Sequence, residues 1–89
     1  MKDLPISWIE SWTWDSEQFG EVRTLLVAEQ MLNNDAVLFM AVTFVGKDTF
    51  LFALSIAPNL VTDEGLDKAR EAAQQGMKQA FKYGWKINL

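Results

Sequence analysis

"AVLFMAVTFVGKDTFLFALSIA", residues 36–57, holds two runs rich in β-branched and aromatic residues on either side of Gly46-Lys47-Asp48. That is the composition of a β-hairpin. Glycine at the first loop position suits a two-residue type II′ turn that pairs Val45 with Asp48. A three-residue loop would pair Val45 with Thr49 instead, and a one-residue slip swaps the faces of one strand. The sequence leaves both registers open. Either way, both faces are apolar. Val37, Phe39, Ala41, Thr43 and Val45 alternate with Leu38, Met40, Val42 and Phe44, and Phe50, Phe52, Leu54 and Ile56 alternate with Leu51 and Ala53. A strand with one wet face alternates apolar with polar, whereas this pattern belongs to strands covered on both sides.

One cover lies downstream. "TDEGLDKAREAAQQGMKQAFKYG" predicts a helix over 63–83, with Thr62 as N-cap and Asp63, Glu64 and Asp67 near the positive end of its dipole. Lys78, Lys82 and Lys86 complement the other end, and Gly84 is a natural stop. Leu66, Ala69, Ala73, Met77, Ala80 and Phe81 form a single apolar face, mostly of small side chains. One helix shelters one side of the hairpin, so something else must shelter the other.

Upstream, "SWIESWTWDSEQFGE" sets three tryptophans beside four carboxylates within residues 7–21. Ile6, Trp8, Glu10, Trp12 and Trp14 alternate with Ser7, Ser11 and Thr13, which predicts a strand. A helix starting at Pro5 would also bring Trp8 and Trp12 together. "EVRTLLVAEQML" suits a helix face through Val22, Leu25, Leu26 and Leu32, yet as a strand it joins the next one through a tight turn at "NND". The strand is preferred in both places. The expected fold is α+β, an antiparallel β-meander of three to four strands packed on one C-terminal helix, with β-α-β-β-α as the competing order. Residues 1–89 are expected to form a single domain: a Trp-rich acidic segment (1–18), the hairpin (36–57) and the helix (63–83).

The chain contains no cysteine and no histidine. That excludes disulfides, thiolate chemistry, the commonest general base and the favoured ligand of zinc and copper. Glu64, Asp67 and Glu71 share a helical face, but Lys68 and Arg70 interrupt them and the helix dipole already accounts for their position, so no metal is expected. "VGKDT" has Ala41 and Asp48 where a phosphate-binding loop needs glycine and Ser or Thr, so it is a hairpin turn. No cofactor and no enzymatic activity are expected. The net charge is −4, and residues 1–35 carry Lys2 and Arg23 against seven acidic residues. This argues against direct nucleic-acid binding, which needs clustered cations, and permits a basic protein as partner. The longest apolar runs, ten and nine residues, are too short to span a bilayer as helices, and no secretory signal opens the chain, so a cytoplasmic protein is expected.

Tryptophan is enriched at binding hot spots. The candidate partner-binding residues are therefore Trp8, Glu10, Trp12, Trp14, Asp15, Glu17 and Glu21: indoles that either lie over the second face of the hairpin or anchor a partner, within an acidic rim. Two functions compete. The first is a small acidic inhibitor or adaptor acting on a larger protein, by analogy of size and composition with phage-encoded regulators and anti-defence inhibitors. The second is an assembly protein or chaperone that self-associates through its sheet as a homodimer.

Overall fold

The computed structural model describes residues 8–30 and 36–87. Four long strands, β1 (Trp8–Ser16), β2 (Gly20–Gln30), β3 (Val37–Val45) and β4 (Asp48–Ile56), form an antiparallel meander. A short 3₁₀ turn (Pro58–Leu60) leads into α1 (Asp63–Tyr83), and the chain then returns as β5 (Lys86–Ile87) beside β4. The sheet order is β1-β2-β3-β4-β5. The fold is α+β, a five-stranded antiparallel sheet on one helix. Residues 20–30 are strand throughout, so the β-α-β-β-α order is ruled out. The predicted turn at "NND" and residues 1–7 of the Trp-rich segment lie outside the described residues.

The hairpin takes the two-residue turn, with Val45 opposite Asp48. Gly46 has φ +59°, and among the described residues no residue other than glycine has a positive φ. With Lys47 on the negative side, the turn is type II′ rather than I′, whose twist and positive first φ only glycine meets without strain. This register puts Val37, Phe39, Ala41 and Thr43 on the same face as Phe50, Phe52, Leu54 and Ile56. In β2, the register sets Thr24 opposite Thr43, Leu26 opposite Ala41 and Ala28 opposite Phe39. These residues, with α1, make the core.

The predicted limits of α1 are the observed ones, and its ends explain why. Thr62 Oγ1 accepts from the Gly65 amide at 3.0 Å, and Gly84 adopts the left-handed conformation with its amide bonded to the Ala80 carbonyl. Lys86, expected at the negative end of the helix, instead sits on β5 and pairs with Asp48 at 3.7 Å. The physical reason is Gly84, which turns the chain away from the helix axis before Lys86 is reached. The buried stripe of α1 is Ala69, Ala73, Gly76, Met77, Ala80 and Phe81. Small residues let the helix backbone lie close to the sheet, chiefly over β4 and β3. At Gly76 a Cβ would stand 2.2 Å from the Phe52 ring.

This contact makes a clear prediction. Gly76→Ala should lower unfolding free energy by about 1–3 kcal/mol through overpacking, although alanine is intrinsically the better helix former by about 1 kcal/mol. The loss should shrink when Phe52→Leu is made in the same chain. Urea unfolding of the two single variants and the double variant checks it, and a stabilised Gly76→Ala protein would contradict the close seam.

Candidate functional site

The strand register assigns each face of the sheet its own character. β1 joins β2 in the plane of the sheet, with Trp12 opposite Thr24 and Trp14 opposite Val22. Both indoles therefore project to the side that α1 covers. The expectation that the indole segment shelters the second face of the hairpin is overturned. An edge strand added in-plane widens the sheet and cannot fold over it.

On the helix side the indoles have a defined task. An α-helix is about 10 Å wide, whereas five strands span about 20 Å. α1 lies over β3 and β4, and the β1–β2 half needs large side chains to reach it. Trp14 is buried, stacked on Phe81 with ring centroids 5.7 Å apart and planes within 10°. Its Nε1–H donates to Thr24 Oγ1 at 2.8 Å, and the Thr24 and Thr43 hydroxyls lie 2.7 Å apart, sharing a hydrogen bond. Among the described residues no buried side-chain polar atom lacks a partner. Trp12 is half-buried and donates to Gln74 Oε1 at 2.9 Å. Glu10, on the same side, accepts from Arg70 at 2.7 Å, and Arg70 also pairs with Asp67. Phe19, from the turn between β1 and β2, closes the end of the core against Phe50 and Phe81. Sequence patterning gave no reason to single out Phe19, since a turn aromatic belongs to neither strand's alternation.

The opposite face is the open one. Its cross-strand rows follow from the register: Ser11, Leu25, Val42 and Leu51 in one, and Ile9, Val27, Met40 and Ala53 in the next. Leu38 and Phe44 extend the apolar surface along β3, and Ile87 borders it on β5. Ile9 is 63% exposed and Phe44 57%. Leu25, Val27, Met40, Val42 and Leu51 are half-exposed. Among the described residues no element lies across this face; the one helix is on the other side.

The turn end of β1 and β2 carries the charge. Asp15 and Glu21 are direct cross-strand partners, both exposed, on the open face. Like charges placed opposite one another destabilise a sheet. Arg23 is nearby on β2 and donates to Ser11 Oγ at 3.1 Å. Glu17 stands in the turn and lines a cleft of about 620 Å³ with Ser16, Gln18, Lys78, Gln79, Phe81 and Lys82. The predicted site residues are thus divided. Glu10, Trp12 and Trp14 fasten β1 to the core or the helix, whereas Asp15, Glu17 and Glu21 form an exposed acidic corner. The side chain of Trp8 lies outside the described residues, although its backbone pairs with Ala28. The apolar residues of the open face, Leu25 and Val27 at odd positions of β2 and Met40, Val42 and Phe44 at even positions of β3, make the larger surface, and for the β3 residues the two-faced hairpin was the signal in the sequence.

Glu64 and Asp67 are each engaged by a cation, Lys68 at 3.7 Å and Arg70 respectively. No cluster of three acidic side chains suited to a metal ion occurs among the described residues. No described helix is long and apolar enough to cross a membrane. Comparison of the chain with protein-family models, curated proteins and solved structures finds no match.

The buried hydroxyl pair can be tested directly. Thr24→Val leaves the Trp14 Nε1–H and the Thr43 hydroxyl in the core without their shared partner, so stability should fall by about 1–3 kcal/mol. Adding Thr43→Val should cost less than its own single change, because it removes one of the orphaned groups. Denaturant titration of the cycle measures the coupling, and strict additivity would argue against the network.

Proposed function

We propose that this chain is a non-enzymatic protein-binding module, a small acidic inhibitor or adaptor that acts on a larger protein. The observation that carries this reading is the open sheet face, apolar through its middle rows and acidic at the corner formed by Asp15, Glu17 and Glu21. Contiguous exposed apolar surface with a polar rim marks protein contact sites. The like-charged Asp15–Glu21 pair supports it further. A pairing that works against the fold is expected where the residues serve something other than stability. Carboxylates at a rim raise the encounter rate with a basic surface and set partner choice more than they add affinity. Acting in the cytoplasm belongs to the same reading, and no cofactor enters it.

The reading is checked by exchanging charge at the corner. Asp15→Lys gives Glu21 an opposite partner and should raise stability by about 0.2–1 kcal/mol. Together with Glu17→Lys, the same change should weaken binding to the cellular target and flatten the salt dependence of association. The measurements are thermal unfolding, and affinity with its salt slope for proteins captured by the full chain from its native cell. Unchanged affinity and an unchanged slope in the double variant would overturn the acidic corner as a docking element.

A further inference from the structure

We infer that the free stretch of the β4 edge, residues 53–55, takes up an extended peptide of a partner protein as a further strand, with two alternate side chains of that peptide entering the groove beneath α1. The site lies at the edge opposite the acidic corner and stands whether or not that corner docks a target.

The backbone supplies the first observation. β5 is two residues long and pairs only with Thr49 and Phe50, and the Leu51 amide beyond them donates to the Trp85 carbonyl at 3.3 Å. Strand alternation directs the N–H and C=O of Thr49 and Leu51 outward, and with them those of Ala53 and Ser55. Among the described residues nothing bonds to these last four groups. This edge is also unguarded. Natural edge strands carry charge, proline or a bulge that discourages an added strand. β1, the opposite edge, has Glu10 and Asp15, whereas residues 50–56 hold no charge and no proline and keep an unbroken register with β3.

The side chains define what fits. Arg70 and Gln74 face β1, so Lys68 and Ala72 stand on the other flank of α1, above the β4 edge. Between that flank and the strand runs a groove of about 380 Å³, whose apolar lining includes Leu54, Ile56, Leu60, Ala69 and Ala72. Leu54 and Ile56 face the core yet are half-buried, while Phe39 and Val37 opposite them are 0% and 3% exposed. A strand beside β4 places its residues opposite Leu54 and Ile56 on this same side. The occupant is therefore an extended segment with apolar side chains at two alternate positions. Lys68 and Glu64 at the mouth pair with each other, so no charge is required of it. Strand addition draws affinity from main-chain hydrogen bonds and selectivity from alternate side chains. A second copy fits poorly. With its Ser55 opposite Ala53, its Ala57 would fall where Trp85 stands beside Leu51. A peptide that ends or turns away there meets no such obstacle.

The probe is the acetylated, amidated pentapeptide threonine-isoleucine-threonine-isoleucine-threonine, added at millimolar concentration to the isotope-labelled full chain. In the free protein the Ala53 and Ser55 amides should exchange freely with solvent, and those of Leu54 and Ile56, directed at β3, slowly. The peptide should shift the Ala53 and Ser55 amide resonances and slow their exchange. N-methylation of the central threonine, whose N–H meets β4, should weaken binding roughly tenfold or more. N-methylation of either isoleucine, whose N–H faces away, should change it little. Ala53→Pro removes one donor without touching the β3 ladder and should weaken binding comparably. Ala72→Phe, on the exposed flank of the helix, fills the groove and should do the same; this readout stands even if Ala53→Pro fails to fold. Ala53 and Ser55 amides already protected in the free chain, whether within the monomer or by a dimer seen in sedimentation, overturn the inference. So do an absence of shifts at these amides, indifference to which N–H is methylated, and undiminished binding by Ala72→Phe. Asp15→Lys/Glu17→Lys should bind the peptide as the wild type does, which separates this edge from the acidic corner.

Discussion

One helix about 10 Å wide must cover a sheet about twice that width, and most of this architecture answers that mismatch. α1 settles over β3 and β4, where Ala69, Ala73, Gly76 and Ala80 allow a close approach. The uncovered half of the same face is then filled by reach rather than proximity: Trp14 extends to Phe81, Trp12 to Gln74 and Glu10 to Arg70. The indoles that looked like a cover for a second face are the filler of the first. Their polar tips decide where they can lie, since a buried indole N–H needs an acceptor, and Thr24 and Gln74 supply one each.

The same mismatch leaves the other face without a layer of its own. Among the described residues no second helix lies over it, and the strands are apolar there as well. Ile9, Leu25, Val27, Met40, Val42 and Phe44 therefore define a surface whose composition belongs to an interior. The proposed protein contact rests on that surface. The acidic corner next to it gives that contact a direction.

How far this was legible depended on the kind of signal. α1 was readable to the residue because both of its ends are written in side-chain chemistry, a threonine cap and a left-handed glycine. The hairpin was readable, but its register was not, because two apolar faces give no penalty for a slip. β2 was ambiguous because Val22, Leu25 and Leu26 satisfy both a helical and an extended spacing, and pairing with β1 and β3 settled it. β5, two residues long, has no periodicity to detect. At the candidate site, the acidic residues could be named but not sorted. Whether a carboxylate on β1 meets Arg70 or solvent depends on strand parity and on which side the helix takes, and neither is contained in spacing alone.

The Thr24–Thr43 hydroxyl pair acquires a further meaning here. In a sheet greasy on both sides, sliding β2 past β3 by one or two residues would change rather little in total burial. Two hydroxyls and an indole N–H, enclosed where water cannot serve them, satisfy one another in a single alignment. A slip of two would set Thr24 beside Ala41 and part the two hydroxyls, leaving that of Thr43 without its partner while the Trp14 N–H stays on Thr24. The pair therefore acts as a keyway cut into an otherwise featureless shaft, giving up some apolar packing so that the strands engage in only one position.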